Sequence, residues 1–145
     1  MYNEDTILLV RQAYKLTDAR GMSIEVLEEN LAGYVEKFGV LLQWQRDRIQ
    51  VAAGVQDCLV LFNPDHKDEY FNIVVTFQAP TKLAVLTAFI AGESASGMNQ
   101  AVALTLLQGG KMALGNMAAT EDTNECAYYA DLYSIVNALI GASQV

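Results

Sequence analysis

Few residues in this chain are of a type and spacing that could do chemistry. Gly92-Glu93-Ser94-Ala95-Ser96 approaches a nucleophile elbow, the strained turn that exposes a serine at the top of a hydrolase sheet. Ser96 stands where the second glycine belongs, and the pattern also needs a positioned histidine. His66, the sole histidine, falls in the charged stretch Asp65–Glu69, which reads as an exposed hairpin loop. Gly110-Lys111 resembles the end of a phosphate loop, but Met112 stands where Ser or Thr would hold magnesium, and the upstream glycine is missing. Two distant cysteines and one histidine match no zinc spacing. Glu28, Glu29, Asp65, Asp68 and Glu69 could offer oxygen ligands to calcium; none follows an EF-hand loop, and a solvated charged face accounts for them. No catalytic residue, metal ligand or cofactor is therefore assigned, and the expectation is a protein that is not an enzyme.

The composition sets wider bounds. At 145 residues the chain is long enough for one domain with a real core, and its 52% apolar content is far from the disordered range. Nine basic against seventeen acidic residues leave a net charge of −8, which repels phosphates and anionic lipid. Neither nucleic acid nor a membrane is expected as a partner. Glu4 and Asp5 stand where a signal peptide would carry basic residues, and no run of 18 strongly apolar residues occurs, so a cytoplasmic location is expected. Cys58 and Cys126 are read as two buried thiols rather than a bridge.

The elements that would position any site follow from periodicity. Ile7, Leu8, Val10, Ala13 and Tyr14 lie at loose helical spacing, which predicts an N-terminal helix over 4–17. A second helix starts at Ser23, a good N-cap, carries Ile24, Leu27, Leu31, Tyr34 and Phe38 every three or four residues, and ends at Gly39. Leu42, Trp44, Ile49 and Val51 then alternate with polar residues, as a hairpin or one bent strand around Arg46-Asp47-Arg48. A short apolar strand over 56–62 and a turn at Asn63-Pro64-Asp65 come next. Tyr70 to Gln78 is rich in β-branched and aromatic residues, and is expected to be an interior strand.

Pro80 suits the first turn of a helix running from Thr81 to about Glu93, with Leu83, Leu86 and Ile90 on one side and Val85 and Phe89 beside them. Val102, Leu104 and Leu106, then Met112 and Leu114, alternate about Gln108-Gly109-Gly110 as a β-hairpin would. A helix from Ser96 to Leu107 competes with that reading on its Ala and Leu content. Asp122 and Glu125, spaced like a capping box, lead a last helix that closes at Gly141. The expected fold is α+β with a mostly antiparallel sheet, in the order α-β-β-β-α-β-β-α behind an extra N-terminal helix. It forms a single domain over 1–145, with 1–20 as a helical extension and 21–141 as the core.

With those elements in place, the chain resembles the small acidic effector chaperones of bacterial type III secretion systems. The resemblance covers about Ser23–Gly141 and rests on length, acidity and element order rather than on a diagnostic motif. ENLAGYVEKFG is similar to their first helix, DHKDEYFNIVV to the loop entering their third strand, and KLAVLTAFIAGESA to their second helix. AVALTLLQGGKMALGNMAA looks like their following hairpin, and EDTNECAYYADLYSIVNALIG like their last helix.

The resemblance implies a non-enzymatic job in the bacterial cytoplasm: holding the N-terminal segment of a secreted effector in extended form along apolar grooves. It also implies a homodimer through Leu83, Leu86, Phe89, Ile90, Val102 and Leu104. The substrate-protein surface it implies is Leu27, Leu31, Tyr34, Trp44, Ile49 and Val51. Two other classes remain open at this point: an adaptor or sensor domain that binds a folded partner, and a small-ligand binding domain.

Overall fold

The computed structural model describes residues 1–16, 23–67, 69–78, 83–94, 97, 100–114 and 123–142. Its elements are β1 (Tyr2–Asn3), a 3-10 turn (Glu4–Thr6), β2 (Leu8–Leu16), α1 (Ile24–Phe38), β3 (Gln43–Val51), β4 (Gly54–Phe62), β5 (Asn72–Gln78), β6 (Leu83–Ala91), α2 (Gln100–Leu114) and α3 (Thr123–Ala142). The strands form one six-stranded sheet in the order β1-β3-β4-β5-β6-β2. Every pairing is antiparallel except that of β1 with β3. The fold is thus α+β with a mostly antiparallel sheet, as expected, but in a different order of elements.

Several elements form where local signals place them. Ser23 caps α1 by accepting the Val26 N–H at 3.2 Å, and Gly39 ends it at φ 63, a left-handed conformation that glycine adopts without a Cβ clash. The Asn63 side chain accepts the Asp65 N–H at 2.9 Å and sets the turn after β4. β5 is interior, with Ile73 and Val75 buried toward the helices and Val74 buried on the opposite face. Both cysteines are buried free thiols. β3 is one continuous strand through Arg46-Asp47-Arg48, and the hairpin turn follows it at Ala52 and Ala53.

Three expectations are overturned. The stretch read as an N-terminal helical extension is β1, a 3-10 turn and β2, all part of the sheet. Its helical spacing was loose, and eight register positions shared with β6 outweigh it. The stretch read as a helix over 81–93 is β6 from Leu83 onward, while Thr81 and Lys82 lie outside the described residues. A strand buried on both faces carries an unbroken apolar run, which periodicity alone does not separate from a buried helix. Leu86, Ala88 and Ile90 serve one face of β6, and Phe89 and Ala91 the other. The stretch read as a hairpin over 102–114 is α2, continuous through Gly109 and Gly110. Its Ala and Leu content won, and packing on α3 offsets the glycine cost. The helix alternative, which ended at Leu107, was too short. Gly141 lies inside α3 rather than closing it, and Asp122 of the expected capping box lies outside the described residues.

The helices cover one face of the sheet. There Leu27 and Leu31 of α1, Leu107 of α2, and Tyr129, Leu132 and Ile135 of α3 meet Leu59, Leu61, Ile73, Leu86 and Ile90. The other face holds a second core of Ile49, Val51, Cys58, Val60, Val74, Phe89 and Ala91, with Tyr2 and Ile7 packed on it. β1 and β2 lie at opposite edges, which in a flat sheet of five strand spacings would be about 24 Å apart. The five residue steps from Asn3 to Leu8 span at most roughly 17 Å. The sheet therefore curls, and the N-terminal segment takes the chord across its concave face. Glu4 secures that segment by accepting the Ala52 N–H at 2.9 Å.

A candidate binding groove between α1 and β3

The potential nucleophile and the histidine do not meet. Ser94 donates to the buried Glu125 carboxylate, 2.8 Å from either oxygen. Glu125 also meets Tyr129, whose hydroxyl accepts the Phe71 N–H at 2.7 Å. This buried network ties the end of β6 and the start of β5 to α3. Burial, above all, pushes the Tyr129 hydroxyl well above its ordinary range and holds it as a neutral partner. His66 stacks on Tyr70 at 4.4 Å between ring centroids, with Nδ1 3.1 Å from Glu69. Lys111 has no described side chain, so the phosphate-loop reading lies outside the described residues.

The open part of the fold is the junction of α1 with β3. Ala32, Val35, Glu36, Leu42, Gln43 and Trp44 line a groove of about 450 Å³ there. Phe38, the last residue of α1, and Leu41, on the loop that joins it to β3, are exposed at 41% and 56%. α1 places Ala32, Val35 and Glu36 within about one turn, on its 3.6-residue period. Leu42 is buried as the chain turns into β3, and Trp44 is half-buried two residues later.

Glu28 fixes the indole. One of its carboxylate oxygens accepts Trp44 Nε1 at 3.3 Å, and the other accepts Arg46 Nε at 3.0 Å. The Arg46 guanidinium holds the Glu28 carboxyl below its ordinary range, with a smaller contribution from the indole N–H. Glu36 lines the groove and Glu29 is exposed on the same helix, whereas Glu25 and Glu28 are paired with Arg46 of β3.

The outer edge of β3 is only partly covered. β1 pairs with it at Ile49 and Gln50 and no further. The Asp57 carbonyl accepts from Thr76 of β5, so Asp57 faces away from β3. By the alternation of an antiparallel ladder, Trp44 and Arg46 then turn their backbone groups outward, with no described strand beside them. The Arg48 N–H, farther along, is satisfied by Asp47 Oδ1 at 2.7 Å.

Of the six residues expected to bind a substrate protein, Trp44 alone lines this groove, half-buried; Tyr34 is half-buried against the main core and stacks on Phe38. Leu27 and Leu31 are buried beneath α1, and Ile49 and Val51 lie on the concave face. Those four are core side chains that support the site without surfacing. The residues expected at a dimer contact do not share an exposed face. Leu86 and Ile90 are buried toward the helices, Phe89 is buried on the opposite face, and Val102 and Leu104 are half-buried on α2. The Leu83 side chain lies outside the described residues. Sequence reasoning missed Ala32, Val35 and Glu36, although the helical period through Leu31 runs beside them, and it placed Leu42 only as an alternating strand residue. It could not find the Glu28 clip, which spans 16 and 18 residues.

A curled α+β sheet with an apolar groove, edged by Glu36 beside a partly unpaired strand, is the class of architecture these features define. No protein-family model, curated protein or solved structure matches the chain. Among the described residues no helix is long and apolar enough to cross a membrane.

Proposed function

We propose that this protein is a non-catalytic binding domain that holds a segment of a partner polypeptide in the α1–β3 groove, as a chaperone holds a secreted effector. The observation that carries the reading is the groove itself: apolar walls and a tethered tryptophan beside an uncovered stretch of strand edge. Aromatic side chains in such positions concentrate binding energy, because they bury much area at little entropic cost. The Glu29 and Glu36 carboxylates favour a segment with basic residues near its apolar anchors, and raise the rate of encounter more than the final affinity. In the secretion-chaperone form of the proposal, the segment is the extended N-terminal part of an effector in a bacterial cytoplasm. In the adaptor form, a folded partner presents the same pattern.

Calorimetry with basic-apolar segments of secreted proteins tests the reading. Binding that blue-shifts the emission of Trp44, the sole tryptophan, and is lost in Trp44→Ala is the expected result. Segments that bind equally well to Trp44→Ala would sink it.

A small-ligand domain is the second reading. Its motive is a cavity of about 610 Å³ where β4 and β5 part beyond Cys58 and Thr76, walled by Ile24, Arg48, Val55, Gln56, Asp57 and Phe77. A metabolite retained in native mass spectra would favour it.

A further inference from the structure

The concave face of the sheet holds a pocket of about 190 Å³, beside the N-terminal segment that crosses it. Leu9, Val85 and Phe89 form its apolar wall, and Thr76, Thr87 and Glu4 bring oxygens to it. Apart from tyrosine and cysteine, the buried polar side chains among the described residues are Thr76, Thr87 and Glu125. Glu125 belongs to the Ser94 network, whereas the two threonines face each other across β5 and β6 on this one wall. Burying a hydroxyl costs free energy that an apolar side chain of the same shape avoids, so a pair of them at one cavity points to a polar occupant. What these oxygens already do sets the polarity of that occupant. Thr76 Oγ1 donates its one proton to the Asp57 carbonyl at 3.1 Å, which leaves lone pairs for the pocket. The Glu4 carboxylate accepts only, and its bond from the Ala52 N–H at 2.9 Å holds it in place. No basic side chain is among the described residues that line the pocket.

We infer that this pocket binds a small protonated amine with an apolar body. The ammonium donates to Glu4 and to the Thr76 hydroxyl oxygen, and the body lies on Leu9, Val85 and Phe89. An apolar cavity of about 150 Å³ takes one benzene ring. The slightly larger volume here therefore suits a ring or short alkyl chain with an ammonium arm. Leu9 is exposed, and so is Tyr14, which stands opposite Val85 in the register, so the entrance is apolar. A net charge of −8 draws cations toward the chain and opposes carboxylates. The site is distinct from the cavity of about 610 Å³ where β4 and β5 part, whose wall carries Arg48 and would oppose an ammonium. It is also independent of the α1–β3 groove, so amine binding and partner capture stand or fall separately.

Backbone-amide NMR titration of the whole chain tests it, with phenethylamine as the probe and phenethyl alcohol and hydrocinnamate as its neutral and anionic counterparts. The amine should bind in the micromolar-to-millimolar range, with the largest shifts at Thr76, Val85, Thr87 and Phe89. The alcohol should bind more weakly, and the carboxylate should not bind. Glu4→Gln keeps an oxygen for the Ala52 N–H but removes the charge. It should weaken the amine about tenfold or more, as loss of a hydrogen bond to a charged group does, and leave the alcohol unchanged. Thr76→Val should weaken the amine as well; where that variant fails to fold, Glu4→Gln decides. An absence of shifts at millimolar amine, equal binding of amine and alcohol, or an amine indifferent to Glu4→Gln would each overturn the proposal. So would shifts centred on Ser23, Ile24 and Val55 of the larger cavity, or on Val35 and Trp44 of the groove.

Discussion

The β2 edge and the β3 edge end the same sheet, yet different devices govern them. At β2 the backbone is guarded. A bulge between Leu9 and Arg11 breaks the register, the Gln108 amide donates to the Val10 carbonyl at 3.4 Å, and Asn137 holds the Arg11 guanidinium. Basic side chains and bulges are among the usual ways a sheet edge resists unwanted pairing. At β3 the guard is partial: β1 covers Ile49 and Gln50, and Asp47 satisfies the Arg48 N–H. Nothing described covers Trp44 and Arg46, and the apolar groove opens beside them. The difference teaches that an exposed edge becomes a site when side-chain pockets accompany the unpaired backbone.

The comparison breaks most completely if the floor of the β3 side is removed. Leu31 is fully buried in α1, and Leu31→Ala should cost about 2–5 kcal/mol of stability. Urea unfolding would report it, and hydrogen exchange should rise at α1 and β3 before β2. A cost within error of zero would mean that α1 does not depend on this core.

Trp44→Ala should act on binding rather than on folding. It should weaken partner capture by about 1–3 kcal/mol, as loss of an interface anchor does. The melting temperature should change little. A domain that unfolds on this change would place Trp44 among the structural residues and remove the groove's anchor.

Alkaline pH should loosen the β3 side from beneath. Burial, with a smaller push from Asp47, raises the Cys58 thiol to about 12. The unfolded chain therefore ionises first. The thiol's contribution is intact below the ordinary thiol pKa, then falls by about 1.4 kcal/mol per pH unit as pH rises toward the folded value. Chemical denaturation at stepped pH measures the slope. Rapid labelling of Cys58 by a thiol reagent in the native protein at pH 8 would contradict the burial.

The smallest expected effect sharpens the groove without moving the fold. Glu28 has a folded-state pKa held below its ordinary value by Arg46, so its contribution is present above that ordinary value and fades as pH falls through the folded one. Glu28→Gln should leave the melting temperature nearly unchanged, since exposed ion pairs add little. It should change Trp44 emission at neutral pH, and wild-type protein in acid should drift toward the same spectrum. An emission spectrum indifferent to both would show that Glu28 does not hold the indole.

The sequence by itself determined the elements whose signals are local. The Ser23 cap, the Leu27–Leu31–Tyr34 stripe and Gly39 specify α1 within its own length. The β-branched and aromatic richness of Tyr70 to Gln78 specifies β5, and the apolar face from Tyr128 to Leu139 specifies α3. Tertiary structure alone decided β2, β6 and α2. LAVLTAFIA is apolar at nearly every position, so neither period stands out, and burial between β5 and β2 makes it a strand. QAVALTLLQGGKMAL alternates like a strand but packs on α3 as a helix, because the sheet already has its neighbours in place. The candidate site follows the same division. Tyr34 and Trp44 could be read as aromatic residues on amphipathic elements. The groove that Trp44 lines needs α1 laid against one particular strand edge, and only the packed chain supplies that contact.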